Sequence, residues 1–171
     1  MIKLPFIIIE SDVDIRLARL LILIKGLSYS RMKKPILNID KIACYDFLLK
    51  YPEILHKITK LEDYKQRFEL ERYEFNNIES SYPDITMLYD YKVLHNLLQI
   101  LLCYGYITII NSKETFYIIT EEGINFLNSL NSDYIKRLKE LSNILLQMRS
   151  LNFQKLSKLI NTVLEGGKIY E

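Results

Sequence analysis

The sequence has no tryptophan, only two cysteines and two histidines, and no large excess of either charge. Cys44 and Cys103 form no close pair, which excludes a disulfide framework and a paired-thiolate metal site. Both stand inside apolar helical stretches and are expected as buried, reduced thiols of a cytosolic protein. His56 and His95 are far apart and in no metal-ligand spacing with the cysteines, so they are expected at or near the surface. The 23 Lys+Arg against 21 Asp+Glu leave no strong field to draw the chain onto nucleic acid or an anionic membrane. Long apolar runs are missing too. The longest, around Leu20 to Ile24 and Leu97 to Cys103, fall short of the ~20 residues needed to cross a bilayer. Pro5 interrupts the N-terminal apolar run, and Glu10-Ser11-Asp12 follows without a small-residue cleavage site, so no signal peptide is expected. A soluble, cytoplasmic protein without a membrane partner follows.

Reactive constellations are equally scarce. Gly166-Gly167-Lys168 has the end of a phosphate loop, but Thr162 stands where its first glycine belongs and Ile169 where Ser or Thr must hold magnesium. A helix C-terminus explains those glycines better. Pro83-Asp84 and Asp90-Tyr91-Lys92 carry the letters of a magnesium-dependent nuclease core, yet the gap is too short and Lys92 opens a helix. No Gly-x-Ser-x-Gly elbow occurs. The chain is expected to be no enzyme and to need no metal or cofactor.

What is present is ordinary globular material, with 49% hydrophobic and 26% charged residues. A length of 171 residues suffices for one domain or two small ones sharing a core. The 13 tyrosines, beside an excess of Ile, Lys and Asn, reflect an AT-rich genome more simply than a binding surface.

The most informative stretch runs from Tyr91 to Leu127. Lys92 to Tyr104 has helical apolar spacing and ends on Gly105. Tyr106 to Ile110 and Thr115 to Ile119 are rich in β-branched and aromatic residues, with polar Asn111-Ser112-Lys113-Glu114 between them as a hairpin loop. Thr120 then stands as an N-cap, with Glu121 and Glu122 in the first turn. This order predicts a winged helix with a two-stranded β wing, flanked by N-terminal and C-terminal helices, in a mainly α (α+β) fold.

Around that core, residues 1–60 form an N-terminal helical part. It opens with a strand or arm at Lys3 to Ile9, then a helix from Asp12 to Lys25 capped by Ser11 and stopped at Gly26. Arg16 and Arg19 share one side of this helix, whereas Leu20-Leu21-Ile22-Leu23-Ile24 is apolar all round and demands cover on every side, by the core or by a partner. The Leu27 to Pro35 loop holds Arg31, Lys33 and Lys34, a solvated basic turn. Asn38 caps a helix from Ile39 to Lys50, and Pro52 opens another through Ile58. Residues 61–84 are a mixed-charge connector, 85–130 the winged-helix core, and 131–171 two C-terminal helices begun at Ser132 and broken at Ser150-Leu151-Asn152. The four parts are expected as one compact unit.

A winged helix reads DNA or docks proteins. Lys92, His95, Asn96 and Gln99 form a polar stripe on the helix before the wing, and Lys113 sits at the wing tip. Against DNA, the stripe has no arginine, Asp90 guards its entry, and Glu114 neighbours Lys113. Docking is favoured by the all-round apolar first helix and the Tyr82, Tyr89, Tyr91 cluster.

Arg19-Leu20-Leu21, then Ile39-Asp40-Lys41-Ile42-Ala43-Cys44-Tyr45-Asp46-Phe47-Leu48-Leu49-Lys50-Tyr51-Pro52, then Leu88-Tyr89-Asp90-Tyr91-Lys92 and the wing resemble the middle components of bacterial ABC-three-component systems. Those proteins carry an Arg-x-Leu-Leu helix, a Lys-Leu-x-x-x-Asp-Phe-Leu-x-(Arg/Lys)-Tyr-Pro segment, a Tyr-Asp stretch and a winged helix. The small subunit of Lamassu-type anti-phage defence complexes belongs to that group. The resemblance implies a non-catalytic scaffold, similar to the accessory subunits of SMC complexes. Its partners would be an SMC/Rad50-like ABC ATPase and an effector nuclease subunit, with DNA reached only through the complex. It implies partner-binding roles for Arg16, Arg19, Asp46, Phe47, Lys50, Tyr51, Tyr89, Asp90 and Tyr91. For the Asp46 to Tyr51 set, packing the junction between the N-terminal helices and the winged helix is the stronger expectation, with Asp46 and Lys50 as a local i,i+4 pair. The alternative is a winged-helix transcription regulator using Lys92, His95, Asn96, Gln99 and Lys113, dimeric through its C-terminal helices.

Overall fold

Most longer helices in this chain begin where a side chain accepts an N–H that the first turn leaves free, whereas the helix that Pro52 opens has no such cap. In the computed structural model, which describes residues 13–75 and 78–166, the elements are α1 (Val13–Leu27), α2 (Ile39–Lys50), α3 (Pro52–Leu61), a short α4 (Ile78–Ser81), α5 (Tyr91–Cys103), β1 (Ile107–Asn111), β2 (Thr115–Ile119), α6 (Glu121–Ser129), α7 (Asp133–Leu145) and α8 (Phe153–Gly166). Asn38 caps α2, Asp90 caps α5, Thr120 caps α6 and Ser132 caps α7, each accepting a backbone N–H three residues on, at 3.1–3.3 Å. The fold is mostly helical with a two-stranded antiparallel hairpin between helices, the expected α+β class. The expected Lys3 to Ile9 strand, the Ser11 cap with Asp12, and Gly167 to Ile169 lie outside the described residues, as do Asn76 and Asn77 of the expected loop.

The all-round apolar half of α1 runs through the middle of the molecule. Leu20, Leu21, Leu23 and Ile24 are fully buried and Ile22 nearly so, against α2, α5, α6, α7 and β2. The cover this helix demands is therefore supplied by the chain itself, and its apolarity is no argument for a partner. The helix also runs past the expected stop at Gly26 to Leu27, whose side chain is fully buried. One apolar cluster extends from Leu17 on α1 to Ile160 on α8.

The wing is fastened to that core at its base. Gly105, at φ +71°, takes the left-handed conformation that lets the chain leave α5 and turn into β1. Thr120 closes the other end: its N–H donates to the Tyr106 carbonyl at 3.0 Å and its hydroxyl to the Gly105 carbonyl at 2.6 Å. Gly123 follows because a Cβ there would lie 2.2 Å from the Tyr106 oxygen. Along the hairpin Ile107 faces Ile119, Ile109 faces Tyr117 and Asn111 faces Thr115. Past β2, the chain between α1 and α2 lies alongside: Tyr117 N–H donates to the Leu37 carbonyl and Ser28 Oγ to the Tyr117 carbonyl, both at 3.0 Å. At the tip, Asn38 Nδ2 holds the Glu114 carboxylate at 2.7 Å.

A charged pair is sealed between α1 and α2. Arg19, with no exposed surface, sends Nε to Asp46 Oδ1 at 2.6 Å and Nη2 to Oδ2 at 3.3 Å, a two-pronged contact between α1 and α2. Asp46 thus turns inward to α1 rather than along its own helix to Lys50. Further along, α2 is tied to the turn before α8 by Lys41 Nζ on the Arg149 carbonyl at 2.7 Å and Tyr45 hydroxyl on the Met148 carbonyl at 3.2 Å. Burial pulls the Lys41 ammonium down to about 8. Asp46→Ala leaves a buried guanidinium without its carboxylate and is expected to lower the unfolding free energy by about 3–5 kcal/mol, whereas Arg19→Met with Asp46→Leu restores most of it. Urea melts of the three variants check this; an Asp46→Ala loss below about 1 kcal/mol would mean the pair is solvated.

Candidate functional site

The residues between the connector and α5 are held from α2 outward. Phe47 is fully buried and its ring meets that of Tyr51 at 4.8 Å between centroids. Tyr51, 3% exposed, presents its hydroxyl oxygen to the N–H of Asp84 at 3.0 Å. The Lys50 ammonium lies over the Tyr51 ring at 5.3 Å, and its charge also reaches Asp84. Asp84 starts a helical turn by accepting the Thr86 N–H at 3.0 Å and hydroxyl at 2.6 Å, and those bonds hold its carboxyl below the usual range. Leu88 then plugs fully into the core. Tyr91, at the start of α5, is pushed up to about 12 by burial and by its hydrogen bond to Asp40 of α2. At this junction Tyr51 and Lys50 thus meet the segment leading into α5, with Phe47 behind Tyr51, whereas Asp46 is turned to α1.

Tied to that junction at Asp84 is a short run of exposed apolar side chains, a ridge along the sequence. Within Ile78 to Tyr89, Ile78 is 85% exposed, Tyr82 81%, Ile85 42% and Tyr89 53%. Four large apolar side chains in one short segment is more than scattered surface hydrophobicity. Of the residues expected to meet a partner, Tyr89 and Asp90 are exposed, with Asp90 also the cap of α5, and Tyr91 and Lys50 are half-buried. Arg16 is half-buried on α1, its Nε enclosed without a hydrogen-bond partner. Arg19, Asp46 and Phe47 are interior, and Tyr51 is buried with them. All four have packing partners within the chain: Arg19 meets Asp46 between α1 and α2, and Phe47 meets Tyr51.

The connector is a strap clipped to α7. Arg137 sends Nε and Nη2 to the two carboxylate oxygens of Glu74 at 2.8 and 2.7 Å and shares Nη2 with the Glu69 carbonyl at 2.7 Å. Its guanidinium also lies over the Phe68 ring at 5.5 Å. These bonds hold the Arg137 proton above the usual range. Gln147 grips Gln66 twice, accepting its N–H and donating to its carbonyl, each at 2.9 Å. Under the strap, burial lowers the His56 pKa, Lys60 adds to the shift, and the imidazole meets Phe68 edge-on at 5.5 Å.

Lys92, His95, Asn96 and Gln99 are all exposed along one side of α5, and Lys113 is exposed at the wing tip. Cys103 continues that side and is exposed, contrary to the expectation of two buried thiols; Cys44 is buried, and burial pushes its thiol up to about 12. A cavity of about 280 Å³ between α1, α6 and α7 includes Lys25 and Lys139 in its lining. Lys139 donates to the Leu127 carbonyl at 3.3 Å, and Lys25 lies in the last turn of α1, where a cation complements the helix dipole. Among the described residues no cluster of His, Cys, Asp and Glu could hold a metal, and no helix is long and apolar enough to cross a membrane.

Tyr82 and Tyr89 were visible in the sequence as part of an aromatic cluster. Ile78 and Ile85 were missed because they lie in a segment without regular periodicity. Arg137 was missed because nothing in its own helix signals a contact more than sixty residues back. Residues 27–158 match the family model described as ABC-three component (ABC-3C) system Middle Component 4. No curated protein and no solved structure matches the chain.

Removing the Tyr51 hydroxyl tests the junction. Tyr51→Phe is expected to cost about 1 kcal/mol of stability and to speed amide exchange from Asp84 to Leu88 while exchange in α1 keeps its order. Unchanged exchange at Asp84 would show that this hydrogen bond does not hold the ridge.

Proposed function

We propose a role that starts from the family: the chain belongs to the Middle Component 4 family of ABC-three component systems, and acts as the accessory subunit through which the other components are held together. Middle components are accessory subunits, and a component has other subunits to meet. In the finer form of the proposal those are an SMC/Rad50-like ABC ATPase and an effector nuclease. The chain bridges them without catalysing a reaction, in the cytoplasm, as part of a Lamassu-type defence against phage or plasmid DNA, and touches DNA only through the complex.

The observation that carries this reading is the exposed ridge of Ile78, Tyr82, Ile85 and Tyr89, seated on a junction built from buried residues. A subunit interface draws its affinity from a few desolvated aromatic and aliphatic anchors on a surface that does not have to be ordered first. The ridge has both properties. Tyr82→Ser with Tyr89→Ser changes only exposed side chains, so thermal stability should be unchanged. Recovery of the co-encoded ATPase or nuclease with the tagged chain should fall at least about tenfold. Recovery at the wild-type level would remove the ridge from the interface. Failure of the wild-type chain to recover either protein would remove the bridging role itself.

A second reading as a DNA-binding regulator is supported by the exposure of the whole α5 stripe. It requires salt-sensitive binding of the isolated chain to duplex DNA, lost with Asn96→Ala and Gln99→Ala. Anisotropy titrations that find no binding at low salt would end it.

A further inference from the structure

The two edges of the wing are not alike. Tyr117 turns both backbone groups away from β1, since its N–H donates to Leu37 and its carbonyl accepts from Ser28. Ile109, which faces Tyr117, belongs to the same non-bonded pair, so its N–H and carbonyl point away from β2. Ile107 and Asn111 share that orientation. The bonded pairs alternate with these, as the Thr120 to Tyr106 and Ser112 to Glu114 bonds at the two ends of the ladder require. The outer edge of β2 meets the chain between α1 and α2. The outer edge of β1 has no backbone partner among the described residues, and Thr108, Ile109, Ile110 and Asn111 are all exposed.

Exposed edges are normally blunted by a lysine, a proline, a bulge or a covering loop. Ile107-Thr108-Ile109-Ile110-Asn111 contains no charge and no proline, and it pairs with β2 in unbroken register. Ile109 and Ile110, at 36% and 38% exposure, point to opposite faces and so offer apolar neighbours to a third strand on both.

We infer that the β1 edge receives an extended, uncharged, β-branched or aromatic-rich segment of another subunit of the system, added to the wing as a third strand. This rests on the reading of the chain as an assembly subunit. A second copy is the poorer occupant. Two five-residue edges back to back bury far less than the roughly 800 Å² per partner of a stable interface. A strand from a subunit already seated elsewhere on the chain needs only to add to existing contact. Backbone hydrogen bonds supply the affinity and the alternate side chains the selectivity.

The register supplies a selective test. Ile109→Pro deletes an N–H that β2 does not use, so the hairpin should stay intact while the outer edge loses its central donor. Ile109→Lys blocks the same edge by charge and covers the case in which proline disturbs the hairpin. Amide exchange of the full chain, alone and with the co-encoded subunits, gives the direct readout. Alone, Thr108 and Ile110 amides should exchange slowly and the Ile109 amide fast. In the complex the Ile109 amide should slow at least about tenfold, and both variants should weaken recovery of that subunit at unchanged thermal stability. A complex that forms with the Ile109 amide still fast overturns the inference and leaves the assembly reading standing. No complex at all overturns both. Protection that rises with the concentration of the chain alone makes the occupant a second copy and overturns the inference as stated.

Discussion

The Arg19–Asp46 pair is the constraint from which the arrangement of helices follows. A helix as uniformly apolar as the second half of α1 has no preferred face, so hydrophobic burial alone would let it rotate or slide among its neighbours. A guanidinium sealed beneath the surface removes that freedom. It is tolerable only where a carboxylate meets it in a two-pronged geometry, and Asp46 offers that at one register of α1 against α2. The pair is a poor source of net stability and a good source of uniqueness, because every alternative packing strands a charge.

With α2 fixed in this way, its remaining side chains distribute the order outward. Phe47 fills the core, Tyr51 reaches the Asp84 backbone, Asp40 reaches Tyr91, and Lys41 and Tyr45 reach the turn before α8. One helix thus places both the entry to α5 and the start of α8. The irregular connector has further fastenings from Arg137 on α7 and from Gln147 just past its end.

Elements whose causes are local were legible in the sequence. Asn38, Thr120 and Ser132 each sit next to the turn they satisfy, so those helix starts and the hairpin could be placed from neighbouring residues, whereas the cap that Asp90 forms on α5 went unread. What depended on distant residues was not. Leu20 to Ile24 announced a helix covered on all sides, but the choice between self and partner lay in helices from other parts of the chain. Cys103 sits in an apolar run, yet the last turn of α5 rotates it to the exposed side with Gln99. Asp46 had a cation four residues away and another twenty-seven away, and the distant one won because it was buried. The candidate surface was half legible: its tyrosines stood out, whereas Ile78 and Ile85 acquire meaning only when the fold is seen to leave them uncovered.

Fold-keeping residues and the exposed apolar residues therefore separate cleanly. The run from Asp46 to Tyr51 is turned inward or against its own helix, while the apolar groups at Ile78, Tyr82, Ile85, Tyr89, Ile109 and Ile110 hold nothing in the fold that their removal would collapse. Exposed positions of this kind are nearly neutral for stability. Selection on the partner's surface can act on them without unsettling the core, and selection on the core can preserve Arg19, Asp46, Phe47 and Tyr51 while the partner changes. In the proposed interface the rigid half supplies preorganisation, so that binding is not charged the entropy of ordering the ridge. An interface built on this plan can change its specificity through a few side chains while its geometry stays the same.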